Sequence, residues 1–72
     1  MIDWYARRDE LESNQMFRTH CGEVVKLVER MVPGDGTRWY VATWWRGWSY
    51  QDDTIEPCDL EERLLIEPEI DV

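Results

Sequence analysis

Residues 23–46 read EVVKLVERMVPGDGTRWYVATWWR, which is two strand-favouring runs separated by a turn signal. The first run, 23–32, is rich in valine, and the second, 37–46, combines Thr, Tyr, Val and Trp, all residue types that are enriched in strands. Between them, the PGDG sequence at 33–36 joins the fixed φ of proline to glycines that accept positive φ. We therefore predict a β-hairpin whose turn lies at residues 33–36.

The second arm of this hairpin divides into two sets of side chains, because successive residues of a strand point to opposite faces. The two sets are Trp39, Val41, Thr43 and Trp45 on one face, and Arg38, Tyr40, Ala42, Trp44 and Arg46 on the other. Trp44 and Trp45 therefore cannot both lie in one core. In the first arm neither alternating set is purely apolar, which predicts a bend or bulge near Gly22.

Further strands are predicted on both sides of the hairpin. Residues 16–21 form a short mixed strand, and Gly47 marks a second turn that leads into a returning strand at 48–55. Residues 64–66, Leu-Leu-Ile, form a last short strand before Pro68 ends it. The fold class is therefore predicted to be mainly β, with about five antiparallel strands.

Two short helical segments accompany the predicted strands. Residues 3–13 are interpreted as a short helix or a loosely ordered arm, which Asp3 can cap. Asp59, followed three residues later by Glu62, is typical of a capping box. We therefore predict one helical turn near residues 59–63.

Several short motifs carry a resemblance to a known group of domains. They are GEVV at 22–25, the turn at 33–36, WYV at 39–41, WWRG at 44–47 and PCDL at 57–60. In this order they resemble the small SH3-like β-barrels of the Tudor and KOW type. The resemblance implies a barrel at 16–67. Outside it, the sequence predicts an N-terminal helix or arm at 1–15 and a flexible acidic tail at 68–72. The resemblance also implies a role in binding, because the Tudor-type domains that read methylated side chains use an aromatic cage.

Charge is unevenly distributed along the 72 residues, whose formal net charge is -8. Residues 1–50 contain seven acids and seven bases, whereas residues 51–72 contain nine acids and only Arg63 as a base. Such a surface repels nucleic acid and acidic membranes, because binding to phosphates depends on Lys and Arg. We therefore expect no direct nucleic-acid binding, in contrast to the usually basic KOW domains, and no membrane partner. The expected partner is a basic protein or peptide.

Length and sequence pattern limit the function further. A chain of 72 residues holds one small domain, which excludes a two-domain enzyme. No apolar run approaches the ~20 residues of a membrane span, and the first residues are charged, so a cytoplasmic protein is predicted. The sequence lacks the phosphate-binding loops and nucleophile motifs that identify common enzymes, so no catalytic activity is expected.

Cys21 and Cys58 are the only cysteines of the chain, and His20 is its only histidine. These three side chains are too few for a four-ligand zinc site. On a strand, moreover, His20 and Cys21 point to opposite faces. We therefore predict two reduced thiols, with no metal and no cofactor.

The candidate binding residues come from the aromatic cluster that follows the hairpin turn. They are Tyr40, Trp44, Trp48, Tyr50, Asp52 and Asp53. Three interpretations are open for an outward-facing tryptophan. It packs beneath the N-terminal segment, or it anchors a protein partner, as Trp and Tyr often do. In the third interpretation, the outward-facing rings of Trp44, Trp48 and Tyr50 form a cage for a cation, with Asp52 or Asp53 beside it.

Two functions are compatible with these features. The first is a small acidic interaction module that binds a protein or peptide partner through its aromatic strand face and its acidic C-terminal third. The alternative is a small inhibitor of the phage type that imitates nucleic acid and blocks a basic groove. Ionic strength separates the two, since a mimic's complex weakens steeply with salt and a Trp-anchored complex does not. A two-fold homodimer through the Trp-bearing strand is also open.

Overall fold

The β-strands form one antiparallel sheet in a computed structural model that describes residues 2–32 and 37–70. The strands are β1 Met16–Thr19, β2 Val24–Arg30, β3 Trp39–Trp44, β4 Trp48–Ile55 and β5 Leu60–Leu64. Their order is β4-β3-β2-β1-β5, so β4 and β5 are the edges of the described sheet. The predicted mainly-β fold with five antiparallel strands is confirmed. The predicted turn at 33–36 lies outside the described residues.

The core lies on one face of this sheet, which we call the inner face. Its buried apolar residues are Trp4, Leu11, Phe17, Val25, Leu27, Trp39, Val41 and Leu60. The members within β2 and β3 are two residues apart, as expected for strands with one buried face. Trp39 and Val41, which the sequence assigns to one face of β3, both lie on the inner face. Beyond Val41, Thr43 is half-buried and Trp45 is 80% exposed, because β3 ends at Trp44.

The register of the described sheet shifts at three places, in the pairs β1–β5, β2–β3 and β3–β4, and the last two shifts bear on the hairpin. Leu27 pairs with Val41 while Glu29 pairs with Tyr40, so β2 has one residue more than β3 at this point. This bulge accounts for the broken alternation of the first hairpin arm. Gly22, where the sequence predicted the bend, instead has φ +86° and lies in the tight turn between β1 and β2.

The second bulge lies in the edge strand β4 and inserts two residues. Val41 pairs with Asp53, whereas the next residue of β3, Ala42, pairs with Tyr50. Gln51 and Asp52 are therefore the extra residues, and Asp52 adopts a φ of +57°. No local pattern in the sequence predicts this bulge.

The N-terminal segment before β1 contributes to the same core as the strands. It forms a turn and a short 3-10 helix, Arg8–Glu10, rather than an α-helix. The predicted cap is present, since Asp3 Oδ1 accepts a hydrogen bond from the Ala6 backbone N–H at 3.1 Å. Trp4 packs edge-to-face on Phe17, with ring centroids 5.0 Å apart. Its indole N–H donates to the backbone carbonyl of Glu61 at 3.4 Å.

The helical turn predicted near 59–63 was wrong in position. The structure has a 3-10 turn at Pro57–Asp59, in which Glu56 and Asp59 form the capping box. Pro57 stands at the start of this turn, where its missing N–H leaves no hydrogen bond unmade. The next five residues are β5, and only Leu64 of the predicted last strand belongs to it.

No α-helix occurs in the described part of the chain. Among residues 2–32 and 37–70, accordingly, no helix is long and apolar enough to cross a membrane. One 3-10 turn precedes β1 and the other connects β4 to β5, so the β-sheet is the main element of the fold.

We expect Trp4→Ala to destabilise the protein by roughly 3–5 kcal/mol, the usual loss for truncating a buried Trp. The substitution removes the packing on Phe17 and the hydrogen bond to Glu61. Trp45→Ala is the matched control because its side chain is 80% exposed, and it should change the free energy of unfolding by less than about 0.5 kcal/mol. Urea unfolding followed by circular dichroism measures both. Equal losses would contradict a core role for the N-terminal segment.

Candidate binding site

The five tryptophans occupy three different environments. Trp4 and Trp39 are core residues, and Trp44 and Trp48 are half-buried at the end of the β3–β4 hairpin. Trp45 begins the three-residue turn of that hairpin and is 80% exposed. The N-terminal segment thus places its own Trp4 in the core, while Trp45 remains open to solvent.

A groove lies between the β1–β2 turn and the end of the β3–β4 hairpin. Its volume is about 630 Å³. The side chains that give it chemical character are Glu23, Thr43, Trp44, Trp45, Gln51 and Asp53. Two tryptophans and two acidic residues therefore border one depression, and we refer to it below as the groove.

The β4 bulge helps to place Asp53 in the groove. Asp53 pairs with Val41, and cross-strand partners share a face of the sheet, so Asp53 lies on the side of the inner face. Gln51, one of the two inserted residues, lines the groove beside it. Glu23 comes from the opposite side, directly after the tight turn at Gly22.

The groove carries uncompensated negative charge. Within the described residues, neither Glu23 nor Asp53 forms an ion pair, whereas Glu56, Glu61, Glu62 and Glu67 each have a basic partner. A cation that enters the groove would meet the acidic residues Glu23 and Asp53 beside Trp44 and Trp45, a combination that attracts positive charge. The Arg46 guanidinium of the same chain already lies 6.0 Å from the Trp45 ring centroid.

A second group, the tyrosine cluster, joins three neighbouring strands. It consists of Glu29 from β2, Tyr40 from β3, and Tyr50 and Asp52 from β4. Glu29 pairs with Tyr40 across the sheet. Partial desolvation raises the pKa of Tyr50, and the nearby carboxylates of Asp52 and Glu29 raise it further. This cluster adds negative potential to the same end of β4 as the groove.

A third group, the lysine–tryptophan cluster, consists of Lys26, Trp44, Trp48 and Glu67. The Trp44 and Trp48 rings pack edge-to-face, with centroids 5.1 Å apart. Lys26 Nζ lies 4.4 Å from the Trp48 ring centroid. The Trp48 ring proposed for an external cation therefore already has a lysine of its own chain over it.

The six residues singled out from the sequence are thus distributed over three places. Trp44 and Asp53 border the groove, Tyr40, Tyr50 and Asp52 belong to the tyrosine cluster, and Trp48 joins Lys26. Sequence reasoning missed Glu23, Trp45 and Gln51. Two signals were available: alternation, which separates Trp45 from Trp44, and the position of Glu23 and Trp45 beside glycine-containing turns, where side chains are often exposed.

His20 contacts the 3-10 turn before β5 and the beginning of β5. Its Nε2 is 3.1 Å from the backbone carbonyl oxygen of Cys58, and its Nδ1 is 3.6 Å from Glu61 Oε2. Both Cys21 and Cys58 are exposed free thiols, and partial burial raises the pKa of Cys58. Among the described residues, no group of three or more His, Cys, Asp or Glu side chains is placed to hold a metal ion.

Comparison with known proteins gives no relative for this chain: no protein-family model, no curated protein and no solved structure matches it. The resemblance to SH3-like barrels accordingly stays a prediction. The case for a binding site rests on the groove and on the two clusters beside it.

Asp52→Asn should lower the pKa of Tyr50 towards its ordinary value. The neighbouring carboxylate disfavours the tyrosinate anion, so removing its charge makes deprotonation easier. Asp53→Asn is the matched control, because Asp53 lies in the groove and does not contribute to this shift. An NMR titration that follows the Tyr50 ring resonances measures the change. Equal shifts in both variants would contradict the separation of the groove from the tyrosine cluster.

Proposed function

We propose that the protein is a small interaction module that binds a basic side chain of a protein or peptide partner in the groove. The observation that carries this proposal is the juxtaposition of Trp44 and Trp45 with Glu23 and Asp53, two acidic residues that form no ion pair within residues 2–32 and 37–70. Binding, without catalysis, is the function proposed for the groove.

The chemistry of the groove suits a lysine or arginine side chain. A cation over an indole face gains about 0.5–1 kcal/mol at an exposed site and more when it is desolvated. Carboxylates beside the ring add charge pairing, and the guanidinium of arginine can also stack on an indole. The volume of about 630 Å³ falls in the range of pockets that hold a side chain or a small ligand.

Trp45 is the proposed anchor of the interface. It is a large apolar side chain left 80% exposed at a hairpin tip, where it is accessible from several directions. Exposed Trp residues beside a concave surface are typical of the few positions that dominate binding energy. The acidic residues of the neighbouring strand β4, Asp52 and Asp53, would help to guide a basic partner towards the groove.

The course of the chain supports a relationship to SH3-like barrels. Strands β2, β3 and β4 follow one another as neighbours, a 3-10 turn at Pro57–Asp59 comes next, and β5 pairs with β1. This is the arrangement that the resemblance implies. We propose on this basis that the chain is a distant variant of such domains.

The second candidate function is the nucleic-acid mimic that blocks a basic groove of another protein. It is favoured by the net charge of -8 and by the nine acids of residues 51–72. In that function the anionic surface as a whole would bind, and no single aromatic residue would be indispensable.

The proposal is tested by titrating the protein with short blocked peptides whose central residue is lysine, arginine or the neutral isostere norleucine. NMR should show shifts at the indole N–H groups of Trp44 and Trp45 for the two basic peptides and none for norleucine. Trp45→Ala should weaken binding about tenfold, the expected effect of losing a central aromatic contact. Asp53→Asn should weaken it about two- to fivefold, the range for an exposed ion pair.

Asp9→Asn provides the charge control, because it removes one exposed carboxylate from a residue that does not line the groove. Its affinity should equal that of the unmodified protein. Equal losses in Asp9→Asn and Asp53→Asn, with a steep fall in affinity as salt rises, would support the mimic and contradict the groove.

A further inference from the structure

The segment that follows β5 crosses the outer face of the sheet, which is the face opposite the inner face. We call residues 65–70 the C-terminal segment. Leu64, the last residue of β5, pairs with Met16 of β1, and Met16 pairs with Lys26 of β2. Glu67 Oε1 lies 3.4 Å from Lys26 Nζ. The C-terminal segment therefore passes over β1 and is fastened by an ion pair to β2.

Glu67 also contacts the β3–β4 hairpin, through Trp48. Its Oε1 atom accepts a hydrogen bond from Trp48 Nε1 at 3.4 Å, and Lys26 Nζ lies 4.4 Å from the centroid of the Trp48 ring. One carboxylate oxygen is thus the acceptor for both an ammonium group and an indole N–H, and its charge strengthens both contacts. The Trp48 ring is held at its N–H edge by Glu67 and over its face by Lys26.

Trp48 connects these contacts to the groove, because it packs on Trp44. The two residues are cross-strand partners, which places their side chains on the same face of the sheet. Their rings pack edge-to-face, with centroids 5.1 Å apart and an interplanar angle of 69°. Trp44 lines the groove beside Trp45. One wall of the groove therefore rests on a ring that Glu67 holds.

The exposure of the neighbouring side chains identifies Glu67 as the point of attachment. Ala42, the cross-strand partner of Lys26, is only 7% exposed although it is not part of the inner core, so the outer face is covered here. Leu65 and Ile66 of the C-terminal segment are 82% and 81% exposed. These aliphatic residues contribute little to holding the segment on the sheet, which leaves that role to the Glu67 carboxylate.

We propose that Glu67 is a positioning residue of the groove. Through its contacts with Lys26 and Trp48 it fixes the orientation of the Trp44 ring. This inference rests on the proposed function, in which a basic side chain binds against that ring. A cation is attracted to the face of an aromatic ring, so the orientation of the ring decides whether the contact forms. A ring that is already fixed also loses less conformational freedom on binding. Glu67 thus controls the affinity of a groove that it does not line.

The first measurement uses the full-length protein without any peptide, so its result does not depend on the proposed function. NMR follows the ring-proton shifts of Trp44 and the nuclear Overhauser contacts between the Trp44 and Trp48 rings. In Glu67→Ala, which lacks both the ion pair and the hydrogen bond, the contacts should weaken and the Trp44 shifts should move, because the ring current of Trp48 is lost. Glu67→Gln keeps an oxygen acceptor for the indole N–H and should give a smaller change. Core amide signals of Phe17 and Leu27 establish that each variant is folded.

Glu69→Gln is the matched control for the charge of the C-terminal segment. Glu69 is exposed and forms no ion pair within residues 2–32 and 37–70. Its substitution removes the same unit of charge as Glu67→Gln and should leave the Trp44 signals in place. Unchanged Trp44 signals in folded Glu67→Ala, or equal changes in the two glutamine variants, overturn the proposal.

The second measurement is the affinity for the blocked lysine and arginine peptides, at ionic strength near 0.15 M to screen distant charges. Glu67→Ala should weaken binding about two- to fivefold, the effect of an aromatic side chain that must be ordered on binding. Lys26→Gln breaks the same ion pair but removes a positive charge, so charge alone would strengthen the binding of a basic peptide, whereas loss of positioning weakens it.

We therefore expect weaker binding in both Glu67→Ala and Lys26→Gln, and unchanged affinity in Glu69→Gln. Stronger binding in Lys26→Gln, or equal losses in Glu67→Ala and Glu69→Gln, would show an effect of charge alone and would overturn the proposal. If neither basic peptide binds the unmodified protein, the proposed function is contradicted. The measurement without peptide then still decides whether Glu67 positions Trp44.

Discussion

The packing of Trp4 on Phe17 is the contact on which the rest of the structure depends. A single antiparallel sheet has an apolar face that must be covered, and the described chain has no α-helix or second sheet to do so. The N-terminal segment fills this role with two buried side chains, Trp4 and Leu11. Because this segment covers the inner face, the core does not need the tryptophans at the turn between β3 and β4. These are Trp44, Trp45 and Trp48.

The strands could be predicted from the sequence because they depend on local propensity and alternation. Val25, Leu27, Trp39 and Val41 are buried at intervals of two residues, but alternation alone did not show which of the two faces would be covered. The bulges could not be predicted, since an inserted residue is placed by pairing with the neighbouring strand. The capping box was misplaced because Asp59 fits two positions of that motif, and Pro57 fixes the earlier one.

The candidate site was predictable in composition and not in arrangement. An excess of tryptophan near the hairpin indicated an aromatic surface, and alternation separated Trp44 from Trp45. The contact of Lys26 with Trp48 and Glu67 joins residues far apart in the chain, for which no local pattern exists. For the same reason the sequence could not show that Glu23, from the turn after β1, faces Asp53 across the groove.

The two-residue bulge of β4 also has a consequence for how the chain behaves in a crowded solution. An edge strand with many aromatic residues is a template for stacking of identical chains into fibrils. The insertion of Gln51 and Asp52 interrupts the row of free backbone groups, and Asp52 and Asp53 place two like charges where a stacked neighbour would have to lie. Strand β4 can thus expose Trp48 and Tyr50 at the edge of the sheet without promoting aggregation.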